Sequence, residues 1–192
     1  MDSKAFFLRE MNEHVAAAAA CREALGASFD AMLSIWASCI HTGGKILFFG
    51  NGGSAADAQH QAAELTIRYC KDRAPIAAIA LTTDSSSLTA AGNDLGFDRI
   101  FARQIAALGK PGDVALGIST SGRTPNVIEG LKQARAGKLV ACALGGGDGG
   151  LLPSVADPVL IVPSNVTARI QEMHITLGQI LCGALEIELD LV

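Results

Sequence analysis

The sequence is poor in aromatic residues, which make up 5% of its 192 positions although 49% of the positions are hydrophobic. Its apolar content therefore consists mostly of alanine, leucine, isoleucine and valine. Small aliphatic side chains at this level suit closely packed helices on a buried parallel sheet, or helix faces that are covered in an oligomer. A chain of this length buries one sizeable core but is too short for two comfortable domains.

Basic tracts and long apolar runs are also missing. The 15 lysine and arginine residues are mixed with 19 acidic residues, and no tract would hold nucleic acid or an anionic membrane. No apolar run approaches the roughly 18 residues of a membrane span, and the charged N-terminal segment is not typical of a signal peptide. We therefore expect a cytoplasmic protein with neither a nucleic-acid nor a membrane partner.

Paired cysteines are absent as well. The five cysteines are odd in number, scattered and free of any CxxC pair. This distribution argues against a disulfide framework and against the usual zinc–cysteine spacing, and it is typical of reduced thiols. The five are Cys21, Cys39, Cys70, Cys142 and Cys182.

Two apolar stripes at helical spacing predict two helices at the N-terminus. Gly26 separates them, and the segment TGGK at 42–45 ends the second. The stripes consist of Phe6, Phe7, Met11 and Val15 in the first helix and of Phe29, Leu33, Trp36 and Ile40 in the second.

Downstream of these helices, short aliphatic segments alternate with helical stretches. The alternation predicts an α/β fold, a doubly wound parallel five-stranded sheet with helices on both faces. With no linker or repeat, we expect a single domain over 1–192, made of a helical arm (1–42) and a core with a long C-terminal helix (43–192). The predicted strands are Ile46–Phe49, Ile76–Leu81, Val114–Ile118, Leu139–Leu144 and Val159–Val162, and the predicted helices are Ser54–Tyr69, Ser86–Ala91, Ile100–Leu108, Pro125–Ala136 and Ala168–Asp190.

The stretch GNGGSAADAQHQAAEL runs from the first strand through a glycine loop into a helix. Glycine permits positive φ and lets the backbone approach a ligand closely. The helix then carries Asp57, His60 and Glu64 one turn apart, a spacing that suggests a small-molecule site. Alternatively, Ser54 and Asp57 form a capping box at the start of the helix. Both interpretations of Asp57 stay open at this point.

A cluster of hydroxyl side chains follows the third strand, in the segment GISTSGRTPNVIEG. Ser119, Thr120 and Ser121 stand where the strand ends, and Pro125 occupies a plausible first helical position. Hydroxyls and free N–H groups at a helix N-terminus form an anion site without lysine. The pattern predicts a phosphate-binding loop. The alternative is an ordinary Ser/Thr turn with Thr124 as the N-cap.

Two other loops carry weaker signals. Asn93 and Asp94 either hydrogen-bond the hydroxyls of a polyol or simply end a helix. The segment LGGGDGG at 144–150 is interpreted as a flexible turn with structural glycines.

Four segments together carry a resemblance to a known family: GNGGSAADAQH, GNDLGF, GDVALGISTSGRTPNV and VPSNVTARIQEMH. In this order, along nearly the whole chain, they resemble the sugar isomerase (SIS) family with its flavodoxin-like sheet, and more specifically its phosphoheptose isomerases. The resemblance implies an aldose–ketose isomerase that converts sedoheptulose 7-phosphate to D-glycero-D-manno-heptose 7-phosphate for bacterial lipopolysaccharide. It also implies a homotetramer with active sites at the subunit interfaces.

The resemblance assigns roles to individual residues. Glu64 becomes the natural base for moving a proton between adjacent carbons through an enediol, whose oxygen a metal or hydrogen-bond donor must stabilise. Asp57 would aid ring opening or orient the imidazole of His60. The implied substrate contacts are Asn51, Gly52, Gly53, Asn93 and Asp94 for the sugar and Ser119, Thr120, Ser121 and Thr124 for the phosphate, and the implied zinc ligands are His60, Glu64 and Gln171.

The match breaks at Gln179, eight residues after Gln171. The isomerases have a histidine there, which serves as a zinc ligand and candidate acid or base. Glutamine does not titrate near neutrality and is a weak metal ligand, so both roles of Gln179 are open. His174 does not replace the histidine, because it lies three residues after Gln171 whereas eight residues span about 12 Å of helix. We interpret His174 as a hydrogen-bonded packing residue.

Three interpretations of this substitution remain. The protein is an isomerase that works more slowly or binds metal differently, with Gln179 as a neutral hydrogen-bond partner. Or it is a paralogue that binds a sugar phosphate and a protein partner such as the replication initiator DnaA, with which an SIS relative that also lacks the histidine associates. Alternatively, Gln179 is a deliberate change that traps substrate. The hydroxyl cluster and Glu64 favour the isomerase, since a binding module has no reason to keep Glu64. We therefore predict an impaired sugar-phosphate isomerase with one zinc ion per subunit.

Overall fold

The computed structural model of the protein describes residues 2–192. Within them, strands alternate with helices from the third element onward, except that two helices and a 3-10 turn separate β2 from β3. The helices are α1 (Ser3–Ala24), α2 (Gly26–His41), α3 (Gly53–Thr66), α4 (Ser85–Asp94), α5 (Ile100–Leu108), α6 (Pro125–Ala136), α7 (Leu152–Val155) and α8 (Thr167–Glu188), with a 3-10 turn at Phe97–Arg99. The strands are β1 (Ile46–Gly50), β2 (Ala78–Ala80), β3 (Val114–Ile118), β4 (Val140–Gly146) and β5 (Val159–Val162).

All strand pairs in the sheet are parallel, and the strand order is β2-β1-β3-β4-β5. This is the flavodoxin-like order, so the predicted fold class is confirmed. From β1 the chain passes to β2 at one edge of the sheet. It then returns to β3 on the other side of β1 and continues through β4 to β5 at the opposite edge, so the direction of winding reverses between β1 and β3. Gly50 pairs with Ile118 at their carboxyl ends, so the loops after β1 and β3 begin side by side.

The helices cover both faces of the sheet. Helices α1, α2, α3 and α8 pack on one face with Ile46 and Phe48 of β1, and α4 to α7 pack on the other with Leu47 and Phe49. Every residue of β1 is buried, as expected for a parallel strand covered on both sides. Helices α3 and α8 therefore lie on the same face, although they are far apart in sequence.

The N-terminal helices form as predicted, but the first apolar stripe does not enter the core. Helix α1 buries only Ala17 and Cys21. The second stripe does pack inside, where Trp36 meets Phe48 edge to face with ring centroids 5.5 Å apart. The side chains that α1 leaves exposed include Phe6, Phe7, Met11 and Val15.

Several element boundaries differ from the sequence prediction by a few residues, such as the end of α3 at Thr66 rather than Tyr69, and one helix was not predicted. Strand β2 covers only Ala78–Ala80, because as an edge strand it pairs with β1 over three residues. Helix α7 was not predicted, since four residues (Leu152–Val155) are too few to show helical periodicity. Within residues 2–192, no helix combines the length and the apolar character needed to cross a membrane.

Candidate active site

A pair of amide side chains joins the two loops that meet at the reversal of the sheet. Asn51 Nδ2 donates to Asn126 Oδ1 at 2.7 Å, and Asn126 Nδ2 donates to Asn51 Oδ1 at 3.1 Å. Asn126 is 1% exposed, so its amide depends on this pairing. The sequence prediction included Asn51 but missed Asn126, whose only signal was a polar residue at the start of an apolar helix face.

The glycine loop after β1 uses Gly52 to enter α3. Gly52 has a φ of +56° and occupies the N-cap position without a side-chain cap. Helix α3 begins at Gly53, which places Ser54 inside the first turn. The capping-box interpretation is therefore wrong, because the cap position lies two residues before Ser54. Asp57 is left without that structural role.

The hydroxyl loop after β3 closes on itself. Ser119 is buried, its Oγ lies 2.8 Å from Thr124 Oγ1, and it accepts a hydrogen bond from the Gly122 N–H at 3.1 Å. Thr124 does stand at the N-cap of α6, but its hydroxyl makes no cap hydrogen bond and engages Ser119 instead. The loop thus presents hydroxyls and backbone N–H groups at the N-terminus of α6, as an anion site requires.

The glycine-rich segment after β4 supports this loop. Gly122 has a φ of +62°, and a Cβ there would lie 2.1 Å from the carbonyl oxygen of Gly149. Gly149 and Gly150 therefore have the structural role predicted for this segment, whereas Gly146 and Gly147 line the cavity beside the loop. Arg123 donates to both carboxylate oxygens of Asp148 at 2.9 and 2.7 Å, and these hydrogen bonds lower the pKa of Asp148 to about 2.

An open cavity of about 380 Å³ lies beside the loop. Hydroxyl, amide and glycine groups from the ends of three strands line most of it, a composition suited to a phosphorylated polyol. The lining residues are Thr120, Ser121, Arg123, Gly146, Gly147, Asp148, Ser164, Asn165, Thr167 and Ile170.

Helices α3 and α8 bring three of the predicted catalytic residues together. His60 Nε2 lies 3.3 Å from Glu64 Oε1, and the amide Nε2 of Gln179 lies 3.2 Å from the same imidazole nitrogen. An amide NH₂ group only donates, so the contact with Gln179 is a hydrogen bond when His60 Nε2 accepts. The contact with Glu64 is favoured when that nitrogen carries a proton.

The second carboxylate oxygen of Glu64 is buried, and no described residue hydrogen-bonds to it. Asp57, one turn earlier than His60, is more deeply buried and has no described partner for either carboxylate oxygen. Burial raises the pKa of Asp57, and the Gln61 amide and His60 offset this only in part. Two carboxyl groups on one helix thus differ in their surroundings.

A second, smaller cavity of about 90 Å³ lies between the N-terminal halves of the same helices. Its polar lining includes Asp57, Gln171 and His174. Gln171 lies over Gly53, where a Cβ would come within 2.9 Å of its amide nitrogen. His174 Nε2 donates to the Gly145 carbonyl at 3.0 Å, and burial lowers the pKa of His174 to about 4. His174 is therefore a buried, hydrogen-bonded residue as predicted, although its Nδ1 is buried with no described partner.

The spacing of His60 and Glu64 fits a metal ion, but Gln179 does not complete the set. Tetrahedral zinc ligands at about 2.0–2.1 Å from the ion stand roughly 3.3 Å apart, close to the 3.3 Å between His60 Nε2 and Glu64 Oε1. The atom of Gln179 near His60 is the amide nitrogen, which only donates hydrogen bonds and does not bind a metal. However, residues 2–192 contain no group of three or more histidine, cysteine, aspartate or glutamate side chains placed to hold a metal. Gln171 lies beside Gly53, about two turns of α8 from Gln179. His60 and Glu64 would hold zinc, with a glutamine amide as a weak third ligand.

Asn93 and Asp94 come from an element on the opposite face of the sheet from α3 and α8. They form the end of α4, are exposed, and are joined by a hydrogen bond of 2.7 Å from Asn93 Nδ2 to Asp94 Oδ1. Asp94 lines a groove between α4 and α5. Within this chain the two residues are therefore not grouped with the side chains of α3 and α8.

Comparison with known proteins places these features in a family. The SIS domain matches residues 9–146. The chain is 55% identical over 181 residues to the phosphoheptose isomerase of Paramagnetospirillum magneticum, covering 94% of each chain. It is 57% identical over 152 residues to that of Aquifex aeolicus, covering 79% of this chain and 80% of the relative.

Solved structures agree with this placement. The phosphoheptose isomerase of Neisseria gonorrhoeae superposes with a TM-score of 0.91 at 42% identity, over 97% of this chain and all of that one. The regulator NanR of Vibrio vulnificus, solved with ManNAc-6P, reaches a TM-score of 0.60 at 19% identity over 90% of this chain and 61% of its own. The second likeness concerns the fold alone.

Proposed function

This chain belongs to the SIS domain family and, within it, to the phosphoheptose isomerases, and on that basis we propose that it isomerises sedoheptulose 7-phosphate to D-glycero-D-manno-heptose 7-phosphate. The reaction moves a proton between C1 and C2 of the open-chain sugar. In this proposal the enzyme works in the cytoplasm and supplies heptose for bacterial lipopolysaccharide.

The observation that carries the proposal is the free carboxylate oxygen of Glu64. A general base needs an oxygen that is not already used by a hydrogen-bond donor, and Glu64 Oε2 is buried without a described partner while Oε1 contacts His60. A purely structural glutamate at this position would be expected to have both oxygens paired.

The hydroxyl loop after β3 takes the phosphate at the far end of the sugar. Ser119, Thr120, Ser121 and Thr124 supply hydroxyls, and the N-terminus of α6 supplies favourable N–H groups. Asn51, Gly52 and Gly53 face the sugar chain, together with Gln171. Asn93 and Asp94 are proposed to reach substrate from another subunit, since they lie on the opposite face from α3 within their own.

Ring opening and proton transfer divide between the two carboxyl groups of α3. Asp57, whose raised pKa favours the protonated form, gives a proton to the ring oxygen during ring opening and regains one from the anomeric hydroxyl, which becomes the C2 carbonyl. Glu64 then removes a proton from C1 and returns it to C2. Meanwhile the oxygen on C2 gains a proton and the oxygen on C1 loses one, so that ketose becomes aldose with no net change in atoms.

Gln179 supplies hydrogen bonding rather than proton transfer. Its amide N–H groups donate to the enediolate oxygen, where a titratable imidazole would also exchange a proton. Loss of that exchange is the proposed reason for slower turnover. His60 and Glu64 would hold a zinc ion, with the amide oxygens of Gln179 and Gln171 as candidate further ligands, and the ion would supply Lewis-acid stabilisation of a developing oxyanion.

We also propose that the protein assembles as a homotetramer with active sites at its interfaces. Helix α1 supports this, since Phe6, Phe7, Leu8, Met11 and Val15 are each about half exposed or more. An apolar patch of this kind on a helix that is otherwise folded onto the core is typical of a protein–protein interface.

The test is turnover of sedoheptulose 7-phosphate, measured with and without added zinc. We expect isomerisation that Glu64→Gln reduces by about 10²- to 10⁴-fold, the usual contribution of a general base. Glu23→Gln, which changes an exposed glutamate of α1, serves as the matched control and keeps wild-type turnover. No turnover by the wild type would contradict the proposal and favour a sugar-phosphate-binding paralogue with a protein partner such as DnaA.

A further inference from the structure

We propose that Arg73 and Glu186 form a buried clamp that positions Glu64 for catalysis. The clamp lies in the loop after α3 and near the end of α8, and neither residue belongs to the motifs that define the site. The inference rests on the proposed function only in taking Glu64 as the base.

The clamp is an ion pair that is almost completely enclosed. Arg73 Nε donates to Glu186 Oε1 at 2.8 Å, and the two side chains are 1% and 2% exposed. The same carboxylate oxygen accepts a hydrogen bond from the backbone N–H of Tyr69 at 3.0 Å. One carboxylate of α8 therefore holds the loop that follows α3 at two points.

The other nitrogens of Arg73 reach the end of α3 itself. Nη2 donates to the carbonyl of Glu64 at 2.8 Å, and Nη1 donates to the carbonyl of Leu65 at 2.7 Å. The last four carbonyls of a helix have no partner within the helix, and a cation at that end is favoured by the helix dipole. Arg73 thus caps α3 from outside, and one of the two carbonyls it holds is that of Glu64.

The position of this clamp sets how α3 and α8 face each other. Glu186 follows Gln179 by seven residues, two turns of α8 on the same face. The backbone of Glu64 is therefore fixed, through Arg73, to the helix that carries Gln179. A shift of α3 along α8 would change both the contact of His60 with Gln179 and the place of the Glu64 carboxylate.

Stability alone is a weak reason for such a pair. Burying two charges costs about as much as their attraction returns, and apolar side chains of similar volume often stabilise a fold equally well. Geometry offers a stronger reason, because the planar guanidinium fixes four acceptors at once, the carbonyl of Ala74 among them, and a lysine cannot.

The decisive variant combines Arg73→Met with Glu186→Met, which removes both charges and the hydrogen bonds to Glu64 and Leu65. We expect a folded protein with an intact thermal transition. We expect kcat to fall about 10- to 100-fold, as a small misplacement of a catalytic group does. KM should change little, because the phosphate loop lies between β3 and α6 and none of the hydrogen bonds of the clamp reaches it. The matched control is Lys45→Met with Asp113→Asn, which removes an ion pair at the amino ends of β1 and β3 and keeps wild-type kcat.

A second readout does not depend on activity. His60 Nε2 lies 3.3 Å from Glu64 Oε1, so its ¹⁵N chemical shift reports whether that contact persists. We expect the shift to change in the Arg73→Met, Glu186→Met variant but not in the control. If the wild type does not isomerise sedoheptulose 7-phosphate, the proposed function fails and this spectrum alone decides the clamp.

A folded double variant with wild-type kcat and an unchanged His60 spectrum would overturn the inference. If the double variant does not fold, Arg73→Lys decides instead, because it keeps the charge opposite Glu186 but cannot span both carbonyls. A folded Arg73→Lys protein with reduced kcat and normal KM supports the clamp, and one with wild-type kcat refutes it.

Discussion

Asn51 and Asn126 exchange two hydrogen bonds, of 2.7 and 3.1 Å, across the point where the winding of the sheet reverses. One residue belongs to the glycine loop after β1 and the other to the first turn of α6, just after the hydroxyl loop. The pair therefore links the loop assigned to the sugar with the loop assigned to the phosphate. Asn51 is only half-buried, so its second N–H remains available to a ligand.

The amide pair should couple the two loops energetically. Asn126→Ala leaves the Asn51 amide without its partner, and we expect the free energy of unfolding to fall by about 1–3 kcal/mol and KM to rise. A double-mutant cycle with Asn51→Ala measures the coupling by urea unfolding and steady-state kinetics. If the effects of the two substitutions on the free energy of unfolding and on KM were additive, the two loops would not be coupled through this pair.

Gly122 should be essential to the phosphate loop. Gly122→Ala combines a positive φ with a Cβ that meets the Gly149 carbonyl, whereas Gly43→Ala meets nothing although its φ is +78°. Both variants carry a backbone strain of about 1–2 kcal/mol. We expect only Gly122→Ala to raise KM for the sugar phosphate, by about tenfold or more. Equal KM values for the two variants would show that the packing of the two loops does not shape the site.

Asp57 should make stability depend on pH. Its pKa is raised by burial, so the folded state holds the proton to higher pH than the unfolded chain does. Stability therefore falls as the pH rises from the ordinary carboxyl value through the folded pKa. We expect Asp57→Asn to raise the free energy of unfolding by about 1 kcal/mol at pH 7, and the difference to vanish below about pH 4.

Urea unfolding at the two pH values checks this prediction. Asp148→Asn provides a control in which the change in stability has the opposite sign. Arg123 lowers the pKa of Asp148, so the ionised carboxylate stabilises the folded state at pH values above the ordinary carboxyl pKa, and its removal should lower the free energy of unfolding there. An Asp57→Asn protein that is less stable than the wild type at pH 7 would show that the carboxylate has a partner in solution.

Gln179→His should strengthen zinc binding. The substitution adds an imidazole where the amide already lies 3.2 Å from His60 Nε2, and imidazole is the better zinc ligand. Calorimetric titration with zinc alone should give an affinity at least about tenfold above that of the wild type. Changes of this size are seen when a hydrogen-bond partner of a metal ligand is added or removed. His60→Ala in the same background should abolish the gain. An unchanged affinity would argue that the ion, if bound, lies elsewhere.

The exposed face of α1 should mediate assembly. Phe7→Glu places a charge in this apolar patch and should lower the molar mass measured by light scattering from that of a tetramer. Leu108→Glu, an exposed apolar position at the end of α5, should leave the mass unchanged. A wild-type protein that is already a monomer would contradict the proposed assembly.

Most elements of the fold were predictable because their signals are local. The strands β1 and β3 are fully buried apolar runs, and α6 begins at a proline and carries an apolar stripe. The errors arose where local signals were weak or ambiguous. Strand β2 is limited to the three residues that pair with β1. Ser54 and Asp57 match the capping-box pattern, but the pattern does not show which residue is the N-cap, and in the structure it is Gly52.

The amino-acid sequence by itself determined the alternating pattern of strands and helices, the glycine and hydroxyl loops, and the presence of Asp57, His60 and Glu64 on one helix. These features depend on periodicity and turn chemistry within a few residues. Only the tertiary structure decided which polar side chains meet. His60 and Gln179 are 119 residues apart and Arg73 and Glu186 are 113 apart. Their contacts exist because α3 and α8 pack side by side on one face of the sheet, and no local spacing encodes the register of that packing.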